Sequence, residues 1–106
     1  MADHELDELR REFLIEAAEK VSEMTATLSN ETVEAFERLA YLAHQLKGSG
    51  GSYGYQRIST ESAEIEKAVE RIAAGDTSGA MDKIRRHVEN LGSEISRSTE
   101  ELSARA

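Results

Sequence analysis

Residues 6–28 read LDELRREFLIEAAEKVSEMTATL, a stretch in which apolar side chains return every three or four positions. Because an α-helix has about 3.6 residues per turn, this spacing collects the apolar side chains on one helical face. The stripe consists of Leu6, Leu9, Phe13, Ala17, Val21, Met24 and Leu28. We therefore predict that the chain begins with an amphipathic helix over residues 3–28.

Three further apolar stripes of the same spacing follow along the chain. They predict helices over residues 31–51, 55–74 and 77–104. Amphipathic helices joined by short connections pack as antiparallel neighbours, because a few residues cannot cross the length of a bundle. The sequence thus predicts an all-α, up-down-up-down four-helix bundle, formed as a single domain by residues 1–106.

The composition excludes several classes of function. The chain has no Cys, which excludes disulfides, thiolate zinc sites and cysteine nucleophiles and fits a cytoplasmic location. No apolar run is long enough to cross a bilayer. The formal net charge of −8 repels phosphate backbones and anionic headgroups, so we expect neither nucleic acid nor a membrane as a partner.

Residues 43–55, AHQLKGSGGSYGY, interrupt the pattern of the second helix, since four of the seven glycines lie between positions 48 and 54. One interpretation is a flexible loop that begins after Lys47. A phosphate-cradling loop is disfavoured, because no strand precedes Gly48 and the Gly-Lys-Ser/Thr ending is missing. The third interpretation is a helix that continues through the glycines, and whether residues 50–54 stay helical is open at this point.

The helical interpretation gives His44 an unusual surrounding. At about 100° per residue, His44 points roughly 130° away from the apolar face, so its imidazole faces solvent. Lys47, Gly48 and Gly51 lie on the same side within about 60°. Glycine within an exposed helix costs roughly 1 kcal/mol relative to Ala. We interpret the bare backbone at Gly48 and Gly51 as access for a partner that approaches the imidazole.

An exposed imidazole beside an ammonium group is suited to phosphoryl transfer. Neutral imidazole is a nucleophile near pH 7, and Lys47 supplies positive charge for an anionic group. Metal binding by His44 would require a second ligand three or four residues away, and those positions hold Ala40, Tyr41, Lys47 and Gly48. We therefore expect no metal and no cofactor. Ala40 and Tyr41 are candidates for a docking surface beside the imidazole.

The run His44-Gln45-Leu46-Lys47-Gly48-Ser49, followed by Gly54, resembles the signature of histidine-containing phosphotransfer (HPt) domains. In that signature a phosphoaccepting His precedes x-Leu-Lys-Gly-Ser and a later Gly. Residues 12–17, EFLIEA, are similar to the opening helix of bacterial members. The chain departs from the pattern at Gly50, where Ser or Ala is commoner.

The resemblance implies a role for each matching position. His44 would carry the phosphoryl group, Lys47 would lie near it, and Gly48 would give the partner room. The implied partners are the receiver domain of a response regulator and a hybrid sensor histidine kinase. The chain would be a phosphocarrier of a multistep two-component phosphorelay, with no kinase activity or nucleotide site of its own. The alternatives are a helical adaptor in which His44 is incidental and an HPt module cut from a longer chain.

Overall fold

The computed structural model describes residues 3–105, which form four α-helices. The helices are α1 (Asp3–Thr27), α2 (Val33–Ser52), α3 (Gln56–Ala73) and α4 (Ala80–Ala104). No strand occurs within the described residues. The prediction of an all-α, four-helix fold is confirmed, although positions 1, 2 and 106 of the expected domain lie outside the described range. Over the same range, none of the helices has the length and apolar character needed to span a bilayer.

Two helices begin later than the apolar pattern predicts. Helix α2 begins at Val33 rather than 31, because Thr32 has extended backbone angles and its hydroxyl accepts a hydrogen bond from the Ala35 amide at 3.1 Å. Helix α4 begins at Ala80 rather than 77. Asp76 instead accepts a hydrogen bond from the Ser78 amide at 3.2 Å, which forms a local turn before the helix. The remaining helix ends lie within one residue of their predicted positions.

The glycine-rich segment remains helical as far as Ser52. Gly54 then has a φ of +85°, and the amides of Gly54 and Tyr55 donate to the carbonyls of Gly51 and Gly50 at 3.1 and 2.8 Å. This paired arrangement closes the carboxyl end of a helix and requires a left-handed residue, which glycine adopts without strain. The interpretation of a flexible loop after Lys47 is therefore wrong.

Contacts between neighbouring helices occur in reverse order along the chain. Near one end, Arg10 of α1 donates to the Tyr53 carbonyl at the end of α2, at 3.2 Å. Further along, Glu23 of α1 pairs with Arg38 of α2. This order makes α1 and α2 antiparallel. The enclosed core is formed mainly by aliphatic side chains, among them Leu14, Met24, Leu39, Leu42, Leu46, Ile58, Ile65, Ile84 and Leu91.

An aromatic stack holds the connection between α2 and α3 against α1. The ring of Phe13 lies 5.1 Å from the ring of Tyr53 and 5.9 Å from that of Tyr55, centroid to centroid, with both pairs stacked. Aromatic pairs at such separations add to the stabilisation that burial provides. The stack thus packs the connection between α2 and α3 against α1.

Candidate functional site

His44 lies in the middle of α2, on the surface of the bundle. Its neighbours Ala43 and Leu46 are buried, so the imidazole points outward, in the direction that the spacing predicts. The side chain is 69% exposed. Nδ1 of His44 lies 3.1 Å from Oε2 of Glu66 on α3. The ring is therefore fixed on one edge and open on the other.

Glu66 joins His44 to Lys47. Its second oxygen, Oε1, lies 3.0 Å from Nζ of Lys47, and the Glu66 side chain is only 19% exposed. The Lys47 ammonium approaches outside hydrogen-bonding angles, so the buried Oε1 atom has charge pairing but no directed hydrogen bond among the described residues. Burial raises the pKa of the Glu66 carboxyl, but the contacts from Lys47 and His44 lower it by more. The net pKa of Glu66 thus lies below its ordinary value of 4.5.

The charge state of Glu66 selects the form of the neutral imidazole. An ionised carboxylate only accepts hydrogen bonds, so the contact requires a proton on Nδ1 of His44. In a neutral ring the lone pair then resides on Nε2. Within residues 3–105 no group forms a hydrogen bond with Nε2. The arrangement presents the nucleophilic nitrogen to the exterior.

The three glycines of α2 differ in their surroundings. A Cβ added to Gly48 would meet nothing within 4 Å, and one added to Gly51 would meet only the Ser59 hydroxyl, at 3.7 Å. Gly50 is buried instead, and a Cβ there would lie 3.1 Å from Cγ2 of Ile58. The open strip beside His44 therefore consists of Gly48 and Gly51. Glycine at position 50 is explained by packing, because it allows α2 and α3 to approach closely.

Ser59 strengthens that approach. Its hydroxyl donates to the backbone carbonyl of Lys47 at 2.8 Å, across the interface between α3 and α2. Lys47 is thus held through its backbone, while its side chain remains half-exposed beside Glu66. The register of the two helices brings Glu66 of α3 within reach of both His44 and Lys47 of α2.

The structure separates the two residues expected to form a docking surface. Ala40 lies toward α3 and packs partly against the core. Tyr41 lies toward α1, where the Arg38 guanidinium sits 5.3 Å from its ring centroid and Gln45 donates to its hydroxyl at 2.8 Å. The two side chains therefore belong to different sides of α2, and only Ala40 shares a groove with α3.

Reasoning from helical spacing missed Glu66, because spacing within one helix says nothing about the neighbouring helix. A signal was nevertheless present. In an antiparallel pair joined by a tight turn at Gly54, residues at similar distances from the turn lie side by side. Position 44 is ten residues before Gly54 and position 66 is twelve after it. Glu64 and Glu66 were thus the acidic residues to consider.

The site has no arrangement typical of a metal centre. No group of three or more His, Cys, Asp or Glu side chains in the described part of the chain could hold a metal ion. The site combines an imidazole nitrogen with a free lone pair, one ammonium group and one carboxylate on two packed helices.

Comparison with known proteins agrees with this chemistry. A family model described as the Hpt domain matches residues 8–101, a range that contains all of α2 and α3. Searches of curated proteins and of solved structures gave no significant match. Because the family match covers nearly the whole chain, the chain belongs to the Hpt domain family, whose members are phosphocarrier modules for histidine phosphotransfer in phosphorelay signalling.

Proposed function

We propose that His44 is the phosphoacceptor of this chain and that it exchanges phosphoryl groups with the aspartates of receiver domains in a multistep two-component phosphorelay. A hybrid sensor histidine kinase would stand upstream. Hpt domains interact with receiver domains and kinases in such relays. The observation that supports the proposal most strongly is the exposed imidazole, held at Nδ1 by Glu66 and flanked by the open backbone of Gly48.

The transfer step follows from the free lone pair on Nε2. That lone pair attacks the phosphorus of the receiver's aspartyl phosphate, a P–N bond forms, and the P–O bond to the aspartate breaks with its electron pair remaining on the receiver carboxylate. The phosphorylated ring keeps its Nδ1 proton and gains positive charge. Glu66, 3.1 Å from Nδ1, compensates that charge. The reverse step returns the electron pair of the P–N bond to Nε2.

Lys47 has a separate role in this proposal. Its ammonium is one helical turn from His44 on the same face, and only one carboxylate, that of Glu66, pairs with it among the described residues. A phosphoryl group in transit carries its negative charge on its peripheral oxygens. Lys47 shares the Glu66 carboxylate with His44, so its ammonium is close enough to stabilise those oxygens, and the half-exposed side chain has room to turn toward them.

The test is transfer from phosphorylated receiver domains, followed by location of the label. The chain is incubated with a panel of receiver domains that carry radiolabelled aspartyl phosphate. We expect acid-labile, alkali-stable label on the peptide that contains His44 and return of the label to an unlabelled receiver. His4 and His87 are internal controls, because each also pairs with a Glu, Glu8 and Glu61 respectively. Label on either of them, or none from any receiver, would contradict the proposal.

A further inference from the structure

A groove with an apolar floor runs between α2 and α3, beside the histidine site. Val33 is 69% exposed at the start of α2, and Phe36, Ala40 and Ile72 lie half-buried against the core. Three exposed carboxylates form the rim, those of Glu31, Glu37 and Glu70. The lining contains no Lys or Arg among the described residues.

The groove and His44 open on the same face of the molecule. Val33, Ala40 and His44 are separated by seven and four residues, so they lie on one ridge of α2. On α3, Glu70 is likewise one turn beyond Glu66. Ala40 is therefore about one helical turn, or about 6 Å, from the phosphoacceptor position. A protein domain that reaches Nε2 of His44 also covers the groove, since stable interfaces extend over some 800 Å² per partner.

We infer that this groove selects the receiver domain that exchanges phosphoryl groups with His44, by taking up an apolar ridge flanked by Lys or Arg side chains. The inference rests on the proposed function. The apolar floor and the acidic rim together define which receiver surface fits the groove. Aliphatic or aromatic side chains of the receiver would fill the space over Ala40, and its Lys or Arg side chains would pair with the three carboxylates. A receiver with acidic side chains at those positions is rejected by like-charge repulsion.

The role of the apolar lining is tested by measuring how tightly receiver domains bind. Receiver domains are titrated against the chain carrying His44→Gln, which prevents transfer. In that background Val33→Asp places a charge on the exposed apolar lining of the groove, and we expect the dissociation constant of the tightest-binding receiver to rise about tenfold or more. Val33 is the first residue of α2, where an acidic side chain favours the helix, so the variant should fold.

Ile15→Asp is the matched control. Ile15 is 61% exposed on α1 and does not line the groove, so the same chemical change there should leave the dissociation constant unchanged. Equal effects of the two substitutions, or none from Val33→Asp, would overturn the inference. So would failure of every receiver to bind, or self-association of the parent chain that Val33→Asp abolishes, because the groove would then receive a second copy.

The role of the acidic rim is tested by the substitution Glu37→Lys. We expect it to slow association with the cognate receiver about tenfold at low salt, an effect that shrinks as salt is added. Glu12→Lys changes the net charge equally on the exposed surface of α1 and should have a much smaller effect. Equal effects would show that only net charge matters. Failure of the proposed function is distinguishable: the receiver would bind the groove while no phosphoryl group reaches His44 in the parent chain.

Discussion

Two histidines of this bundle have the same partner chemistry and opposite surroundings. His44 of α2 and His87 of α4 each place Nδ1 against a carboxylate of α3, Glu66 and Glu61 respectively. The His44 side chain is 69% exposed, whereas that of His87 is 16% exposed. Both rings therefore form a hydrogen bond with a Glu, and they differ in how accessible the ring is from outside the protein.

The residues that follow each histidine explain the difference in access. Four and seven positions after His44 the chain has Gly48 and Gly51, but the corresponding positions after His87 hold Leu91 and Glu94. Leu91 is fully buried, so the side of α4 that follows His87 faces the core. The comparison teaches that an oriented imidazole is not by itself a functional site. Under the proposed function, His44 differs from His87 because α2 also lacks side chains along the path of approach.

The largest expected effect comes from exchanging each histidine for Gln. His44→Gln should abolish phosphoryl acceptance while leaving the melting temperature within about 3 °C of the parent, because exposed substitutions change stability by no more than about 0.5 kcal/mol. His87→Gln should accept phosphoryl groups normally and melt at a lower temperature. Transfer assays and thermal melts followed by circular dichroism measure both. Acceptance by His44→Gln, or its loss in His87→Gln, would break the comparison.

Filling the approach path should have the second largest effect. Gly48→Leu should slow transfer from a receiver by on the order of tenfold or more, since misplacement of reacting groups by about 1 Å is already costly. It should also stabilise the protein by about 0.8 kcal/mol, because a Cβ at Gly48 meets nothing within 4 Å. Gly48→Ala is the graded control, with similar stability and a smaller loss of rate. Equal rates for Gly48→Leu and the parent would remove the steric explanation.

A smaller effect is expected from Lys47→Ala. The half-exposed ammonium is screened by solvent, so its removal should slow transfer up to about fivefold, the equivalent of about 1 kcal/mol. The counterpart near His87 is Asn90, whose amide contacts Glu61 at 3.5 Å. Asn90→Ala should leave transfer unchanged. A single-turnover time course compares the two variants, and equal rates for Lys47→Ala and the parent would contradict the role of the charge.

The smallest expected effect is the pH dependence of the contribution that Glu66 makes to the free energy of unfolding. The pKa of Glu66 is lower in the folded protein than its ordinary value of 4.5, so the folded state is stabilised above that value. As the pH falls below about 4.5 the carboxyl is protonated in the unfolded state first, so the contribution shrinks and is lost once the pH has fallen through the lower pKa of the folded state. The difference in unfolding free energy between the parent and Glu66→Gln should thus shrink in acid, from at most about 1 kcal/mol near neutrality. Urea unfolding at pH 7 and pH 3.5 measures it, and a difference that grows in acid would have the wrong sign.

The sequence predicts the elements of this molecule better than their mutual placement. Apolar periodicity is a property of each helix, and it predicted four helices and an exposed His44, although it placed the starts of α2 and α4 two and three residues too early. Periodicity within one helix could not identify Glu66, because its position beside His44 depends on how α3 is aligned with α2. Gly50 is four residues after the buried Leu46, so the same periodicity puts it on the apolar face of α2, and the structure buries it against Ile58. The role of His44 itself remains a prediction that the transfer assay decides.

Both His44 and Glu66 are carried in the interior of regular helices rather than on loops. Under the proposed function, we expect both helices to keep their conformation when the His44 ring carries a phosphoryl group, because residues inside a helix have their backbone hydrogen bonds satisfied within it. The direction of phosphoryl transfer through such a carrier would then depend on the relative amounts of phosphorylated donor and unphosphorylated acceptor. Under the two proposals above, the groove between α2 and α3 would decide which receivers take part, and the two helices would favour neither direction of transfer.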